Sequence, residues 1–147
     1  MSTASGQDEI VVGVDGSPGG AAALSWALDE ARLHGYAVHV VYAFPALVSY
    51  FGTTAHEYYP QVEKEATAAF ERAIADADAA NTDAVEIRKT MVPGNPSEKL
   101  VEASRGAKLL VVGSRGVGAF HGMLLGSVST HCVHHAHCPV VVIRHQD

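Results

Sequence analysis

Short apolar runs that alternate with helical stretches are the feature that most restricts the fold of this chain. Four such runs contain few polar residues: Ile10–Val14, Val38–Ala43, Leu109–Val112 and Val140–Ile143. A strand that helices cover on both faces has such a continuous run, whereas a half-exposed strand alternates in polarity. A fifth run, from Val85 to Met91, is more polar and suits an edge strand. The alternation predicts one α/β domain over residues 1–147, with a five-stranded parallel sheet and helices on both faces.

Capping residues predict where the helices begin and end. Ser17 followed by Pro18 is typical of a helix start, and Gly35 is expected to end that helix. Asn95 and Glu98 have the spacing of a capping box, and Gly106 is expected to end the helix that follows them. Two further helices are expected over Val62–Ala80 and over residues 127–136, and residues 44–60 are interpreted as an irregular surface segment. The inner helix faces are predicted to carry Ala21, Leu24, Ala27, Leu28 and Ala31 in the first helix and Ala66, Ala69, Phe70, Ala73, Ile74 and Ala77 in the second.

Charge and hydropathy exclude several classes of partner. The formal net charge of the 147 residues is −6, with ten Lys and Arg, so general nucleic-acid binding is not expected. The apolar run Val140–Ile143 is far too short to span a membrane. Two cysteines are too few for a disulfide framework, and the first residues do not have the pattern of a secretory signal. We therefore expect a cytoplasmic protein.

A glycine-rich loop is the strongest functional indication. The strand Leu109–Val112 leads into Gly113-Ser114-Arg115-Gly116, and Gly126-Ser127 opens a helix ten residues further on. Glycines let backbone N–H groups approach an anion, and a helix N-terminus offers unpaired donors, so the order suits a phosphate group. The loop has neither the Gly-Lys-Ser/Thr ending of a P-loop nor the dinucleotide fingerprint. These residues alone therefore leave a phosphate site of another kind, or a plain connector.

Asp15 follows the first strand directly. In an open parallel sheet, ligands bind beyond the carboxyl ends of the strands where the chain order reverses. If the first and fourth strands are neighbours, the Asp15 carboxylate lies beside the glycine loop and can bind Mg²⁺ directly or through water. The alternative is that Asp15 only stabilises the turn into the first helix.

Several motifs together resemble the universal stress protein family. They are the spacing Gly113-x2-Gly116-x9-Gly126-Ser127, the N-terminal Val-Gly-Val-Asp-Gly-Ser, the middle Gly94-x-Pro96 and the closing Cys-Pro-Val-Val-Val. The resemblance covers essentially the whole chain. It implies a Rossmann-like sheet with strand order 3-2-1-4-5, an ATP site that also takes Mg²⁺, and a dimeric stress-response or signalling module. Another adenine nucleotide, such as AMP or a cyclic nucleotide, is a variant of the same expectation.

The family resemblance also implies roles for individual residues. Asp15 corresponds to the acid beside the ribose and the metal, and the strand Val140–Ile143 is expected to pair antiparallel with a second copy. The residues implied at the phosphates are Gly113, Gly116, Gly126 and Ser127, with the loop positions Ser114, Arg115 and Gly118 and the helix positions Val128 and Ser129; those implied at the base are Gly13, Val14, Ala43 and Val92.

Two other functions remain open from the sequence. The C-terminal stretch holds His131, Cys132, His134, His135, His137 and Cys138, which suits a metal or redox sensor but also suits ordinary packing and helix-end residues. The other alternative is an interaction module of the same fold that binds no nucleotide. No enzyme is expected beyond slow ATP hydrolysis, because Asp15 is a single carboxylate and Ser127 has no partner base in the motif.

Overall fold

A computed structural model of the chain describes residues 8–44, 60–81, 85–115 and 125–144. Strands and helices alternate along these residues. The elements are β1 (Glu9–Val14), α1 (Pro18–His34), β2 (Ala37–Phe44), α2 (Pro60–Ala80), β3 (Ile87–Pro93), α3 (Pro96–Ala103), β4 (Leu109–Gly113), α4 (Ser127–His135) and β5 (Val140–Ile143).

The five strands form one parallel sheet in the order β3-β2-β1-β4-β5. This confirms the predicted fold class and strand order, and it makes the polar β3 an edge strand. The chain moves outward from β1 through β2 to β3, then returns to the other side of β1 and continues to β5. The order therefore reverses between β1 and β4, which are hydrogen-bonded neighbours.

Side chains on the two faces of the sheet build two separate cores. Ile10, Val12 and Val14 point toward α1 and α2, where Phe70 and other buried residues meet them. Val11 points to the opposite face, where it packs in a smaller cluster with residues of α3 and α4. The strict alternation along β1 explains why a centrally placed strand is apolar at almost every position. Helices therefore cover both faces, as predicted.

Helix α1 begins and ends at the residues that its capping signals predicted. The Ser17 side chain accepts a hydrogen bond from the Gly20 N–H, Pro18 opens the helix, and Gly35 adopts the left-handed conformation at its end with φ +74°. The inner face carries Leu24, Ala27, Leu28 and Ala31 as predicted, but Ala21 is exposed and Ala23 is buried in its place.

Several predicted boundaries were wrong. Phe44 still belongs to β2 and Pro60 already belongs to α2, so the predicted surface segment is shorter at both ends, and residues 45–59 lie outside the described residues. Helix α3 ends at Ala103 instead of Gly106. The buried Ser104 ends it, because its hydroxyl donates to the Val101 carbonyl and accepts from the His137 N–H. Helix α4 ends at His135, one residue earlier than expected.

Candidate functional site

The carboxyl ends of β1 and β4 form the edge of the sheet where the strand order reverses. Val12 is in register with Val111 on β4, so the same register carried on by two residues sets Val14 level with Gly113. The residues that follow, Asp15 and Ser114, therefore leave the sheet side by side. Helix α1 starts on the β1 side and α4 on the β4 side of this crevice.

Two glycines let β4 and the first turn of α1 come into backbone contact. A β-carbon on Gly113 would lie 2.8 Å from the Gly19 carbonyl oxygen, and one on Gly19 would lie 2.7 Å from the Arg115 carbonyl oxygen. Neither glycine has a positive φ angle, so close approach alone requires them. Gly113 thus has a packing role that differs from the expected one, in which its missing side chain leaves room for an anion.

The end of β4 holds the first turn of α4 through a single carbonyl group. The Ser114 carbonyl oxygen accepts a hydrogen bond of 2.6 Å from the Gly126 N–H and one of 3.0 Å from the buried Ser129 hydroxyl. That hydroxyl is also 3.0 Å from the Gly126 carbonyl, which accepts the first intrahelical bond from the Thr130 N–H. The helix N-terminus is therefore fixed at the crevice.

The N-cap of α4 is Gly126, which supplies no side-chain cap to the helix. The N–H groups of Ser127, Val128 and Ser129 precede the first intrahelical bond, so they belong to the orphan donors that every helix N-terminus has. Ser127 is exposed and Val128 is partly exposed. Uncapped donors and the positive end of the helix dipole make this turn suitable for a negatively charged group.

Asp15 stabilises the turn into α1, as the simpler interpretation of this residue proposed. Its Oδ1 atom accepts hydrogen bonds from the Ser17 N–H, at 2.9 Å, and from the Ser17 hydroxyl. The carboxylate also lies close enough to Tyr42 to act on its phenol: burial, and then the negative charge of Asp15, raise the pKa of Tyr42. Tyr42 therefore stays a neutral hydrogen-bond donor beside the crevice.

The residues implied at the base lie at the carboxyl ends of the middle strands. Ala43 on β2 is in register with Val92 on β3, and Val14 is in register with Tyr42. Gly13 has a clear packing reason, because a β-carbon there would lie 2.6 Å from the Leu100 Cδ1 of α3.

The described residues of the sequence-derived site therefore fall along one end of the sheet. Three groups surround the switch point: the end of β1 with Gly13, Val14 and Asp15, the end of β4 with Gly113, Ser114 and Arg115, and the first turn of α4. Ala43 and Val92 extend this row toward β3. Gly116 and Gly118 lie outside the described residues. Tyr42 is the neighbour that sequence reasoning missed; its position at the end of a strand was the only signal for it.

The His/Cys-rich C-terminal stretch does not form a closed metal centre. Across the described parts of the chain, no group of three or more His, Cys, Asp or Glu side chains is arranged to hold a metal ion. Cys132 and Cys138 are both free, and burial raises the pKa of Cys132 to about 11. The same described parts contain no helix long and apolar enough to cross a membrane.

A second concavity lies at the opposite end of the sheet. It has a volume of about 460 Å³, and its lining includes Asp8, Arg32, Tyr36, Glu86 and Arg88. These residues surround the end of α1 and the amino ends of the strands. Open parallel sheets bind their ligands at the carboxyl ends, where helix N-termini point, so we assign the site to the switch point and not to this second concavity.

A family model and curated relatives both match this chain to one protein family. The model of the universal stress protein family matches residues 7–144. A universal stress protein from Mycolicibacterium smegmatis is 36% identical over 146 residues, an alignment that covers 94% of this chain and 48% of that protein. The chain thus spans about half the length of the curated relatives that it matches.

Solved structures share the architecture. The universal stress protein UspA from Lactobacillus plantarum has a TM-score of 0.76 and 25% identity, over 94% of this chain and 98% of that chain. A universal stress protein crystallised in complex with cAMP has a TM-score of 0.69 and 28% identity, over 97% of this chain and all of that one (100%). The five-stranded parallel sheet and its strand order are therefore those of known folds of this kind.

Proposed function

The chain belongs to the universal stress protein family, and from that premise we propose that it binds an adenine nucleotide, with ATP and Mg²⁺ as the leading candidates. The similar structure in complex with cAMP supports the adenine nucleotide class. A cyclic nucleotide or AMP is the variant of this proposal that the same crevice would accept.

One observation carries the proposal: helix α4 begins without a side-chain cap at the switch point of the sheet. Gly126 is bound to the Ser114 carbonyl, so the N–H groups of the first helical turn are held in place before any ligand arrives. Fixed donors at a helix N-terminus bind phosphate without a cost of reorganisation. A nucleotide phosphate is the anion class that this turn fits.

Asp15 is the residue that would hold Mg²⁺ beside the phosphates. Mg²⁺ is usually bound by one or two carboxylates together with substrate phosphates and water, so one aspartate is sufficient. Asp15 is fixed for this task because Ser17 binds its Oδ1 atom through both the N–H and the hydroxyl. The metal would neutralise phosphate charge next to the acid, and without it the carboxylate would repel a triphosphate.

The proposed role is that of a binding module whose nucleotide state is read by partners, and not that of an enzyme. No pair of carboxylates acts as acid and base in the crevice residues described above. The expected upper limit is slow hydrolysis of bound ATP. The cytoplasmic location and the lack of nucleic-acid binding stay predictions from the sequence.

We propose in addition that two copies associate through β5. This strand lies at the edge of the sheet, and all four of its residues, Val140–Ile143, are apolar and partly exposed. An apolar edge strand invites pairing with another strand. Light scattering after gel filtration at micromolar concentration should give twice the mass of the 15.4 kDa chain; a monomer would rule out this pairing.

Mass spectrometry of the small molecules released by heating the purified protein tests the nucleotide proposal directly. We expect an adenine nucleotide near one per chain. Calorimetric titration of the stripped protein with ATP plus Mg²⁺, ATP plus EDTA, AMP, cAMP and GTP then identifies the ligand. A protein that is purified empty and takes up none of these nucleotides would leave the nucleotide-free interaction module as the function.

A variant pair tests the site itself. Gly126→Val adds a side chain at the start of α4, where the backbone angles of φ −77° and ψ 172° permit any residue. We expect nucleotide affinity to fall at least about tenfold while the fold persists, since bulk enters the phosphate space. Thr130→Val is the matched control, because this exposed residue lies one turn further along. If Gly126→Val and Thr130→Val bind the nucleotide with the same affinity, the phosphate site is misassigned.

A further inference from the structure

Two histidines stand one turn apart at the C-terminal end of α4. The ring centroids of His131 and His135 are 4.5 Å apart, and the ring planes are inclined by 41°. Side chains four residues apart share a helix face, so both rings project from the same side of the last turn. His135 is exposed and His131 is partly exposed, which leaves the pair open to solvent.

Within the described ranges, neither ring is engaged by another polar group. Among the described residues, no hydrogen bond or ion pair involves His131 or His135, in contrast to His34, which pairs with Glu30, and His39, which pairs with Glu9. A neutral imidazole has one nitrogen lone pair available for a metal. Two such lone pairs one helical turn apart are the arrangement by which His-x3-His helices bind zinc.

The neighbouring cysteines do not supply ligands to this pair. Cys132 is fully buried and packs in the core cluster with Val11 and Leu110, away from the solvent that the two rings meet. Cys138 lies beyond the end of α4, and its thiol donates a hydrogen bond of 3.4 Å to the Pro139 carbonyl. The exposed helix face therefore offers imidazole nitrogen only. Imidazole favours copper, nickel and zinc, and the negative end of the α4 dipole favours a cation.

We propose that His131 and His135 form a two-imidazole chelating site for a divalent transition-metal ion of the copper, nickel and zinc class. Water or a second protein copy completes the coordination shell, which agrees with the lack of a third His, Cys, Asp or Glu at the described positions. The affinity follows the order of divalent ions, with Cu²⁺ tighter than Ni²⁺ and Zn²⁺. The site is separate from the nucleotide crevice at the other end of α4.

Titration of the chelator-stripped full chain with CuCl₂, NiCl₂ and ZnCl₂ by calorimetry tests the proposal. We expect one ion per chain at this site, with affinity reduced at least about tenfold by His131→Gln or His135→Gln, because either change leaves a single ligand and abolishes chelation. Circular dichroism of each variant verifies the fold. Electron paramagnetic resonance of the Cu²⁺ complex should show two nitrogen ligands in the parent protein and one in either variant.

His134→Gln and His34→Gln are the matched controls. The His134 ring is 6.2 Å from that of His135, and His34 lies on α1, so each removes a surface histidine without removing a member of the pair. We expect their affinities to change less than about threefold. Absence of stoichiometric binding in the parent chain, or equal losses in the controls and the pair variants, would overturn the proposal.

Discussion

Gly113→Ala should destabilise the junction between β4 and α1, because the added β-carbon would meet backbone atoms that cannot rotate away. The new β-carbon would lie 2.8 Å from the Gly19 carbonyl oxygen and 2.9 Å from its carbonyl carbon. Ordinary contact begins at 3.4 Å, so the strand and the helix must separate by about 0.6 Å in a close-packed interior. No side-chain rotation relieves this contact, because both atoms belong to the backbone.

The magnitude follows from two opposing contributions. Overpacking that moves backbone costs about 1–3 kcal/mol. Replacement of glycine by alanine also reduces the entropy of the unfolded chain, which returns about 0.4–1 kcal/mol. The net loss in the free energy of unfolding should therefore be about 1–2 kcal/mol, or roughly 3–6 °C in Tm for a chain of this length. Because α1 and α4 flank the crevice, nucleotide affinity should fall as well.

Gly13→Ala is the matched control, and it makes the reasoning refutable. Its β-carbon would approach the Leu100 Cδ1 to 2.6 Å, closer than any contact at Gly113, but that atom is the end of a flexible side chain. A rotamer adjustment costs about 0.5–1.5 kcal/mol, which the unfolded-state term nearly cancels. The loss of stability caused by Gly13→Ala should also be smaller in a Leu100→Val background, because valine lacks both Cδ atoms. Calorimetric unfolding that ranks Gly13→Ala as the more damaging substitution would refute the argument.

Three smaller predictions concern other contacts. Ser129→Ala should lower the free energy of unfolding by about 1 kcal/mol in chemical denaturation and weaken nucleotide binding, because its hydroxyl helps hold the start of α4. The control is Ser127→Ala at an exposed position, which should change the free energy of unfolding by less than about 0.5 kcal/mol. Burial raises the pKa of Cys132 to about 11, so iodoacetamide at pH 8.5 should modify the less buried Cys138 first. Equal labelling of both cysteines in peptide mass spectrometry would contradict this. The raised pKa of Cys132 also means that the free energy of unfolding should fall as the pH rises from about 9 toward 11. Asn95→Ala should cost about 1 kcal/mol in the same denaturation assay, because its side chain accepts a hydrogen bond from the Glu98 N–H at the start of α3. An unchanged midpoint would show that this cap adds no stability.

The sequence predicted the element order well because each buried strand has a local signature. A run such as Ile10–Val14 needs no knowledge of its neighbours to indicate a strand covered on both faces. The strand order was implied only by the family resemblance, and the sheet confirms it. Boundaries failed where a tertiary contact competes with a local signal: Ser104 ends α3 two residues before the expected glycine because it also holds the His137 N–H.

The sequence predicted which strand ends carry the candidate residues, but it did not predict the packing contacts of those residues. Gly113 was expected from its motif, yet its need for a missing side chain arises from Gly19, ninety-four residues earlier in the chain. Tyr42 was missed because its proximity to Asp15 depends on the β1–β2 register, in which Val14 faces Tyr42. Local patterns do not encode a register between strands that a helix separates.

The two proposed sites lie at opposite ends of helix α4, and the helix dipole favours an anion at one end and a cation at the other. Its nine residues span about 13 Å, with the uncapped Gly126 end at the crevice and His135 at the other end. The N-terminal end favours an anion and the C-terminal end a cation, so the proposed phosphate and the proposed metal ion would each lie at the end that stabilises it. The net charge of −6 would repel a nucleotide, and a cation bound at His131 and His135 would reduce that repulsion.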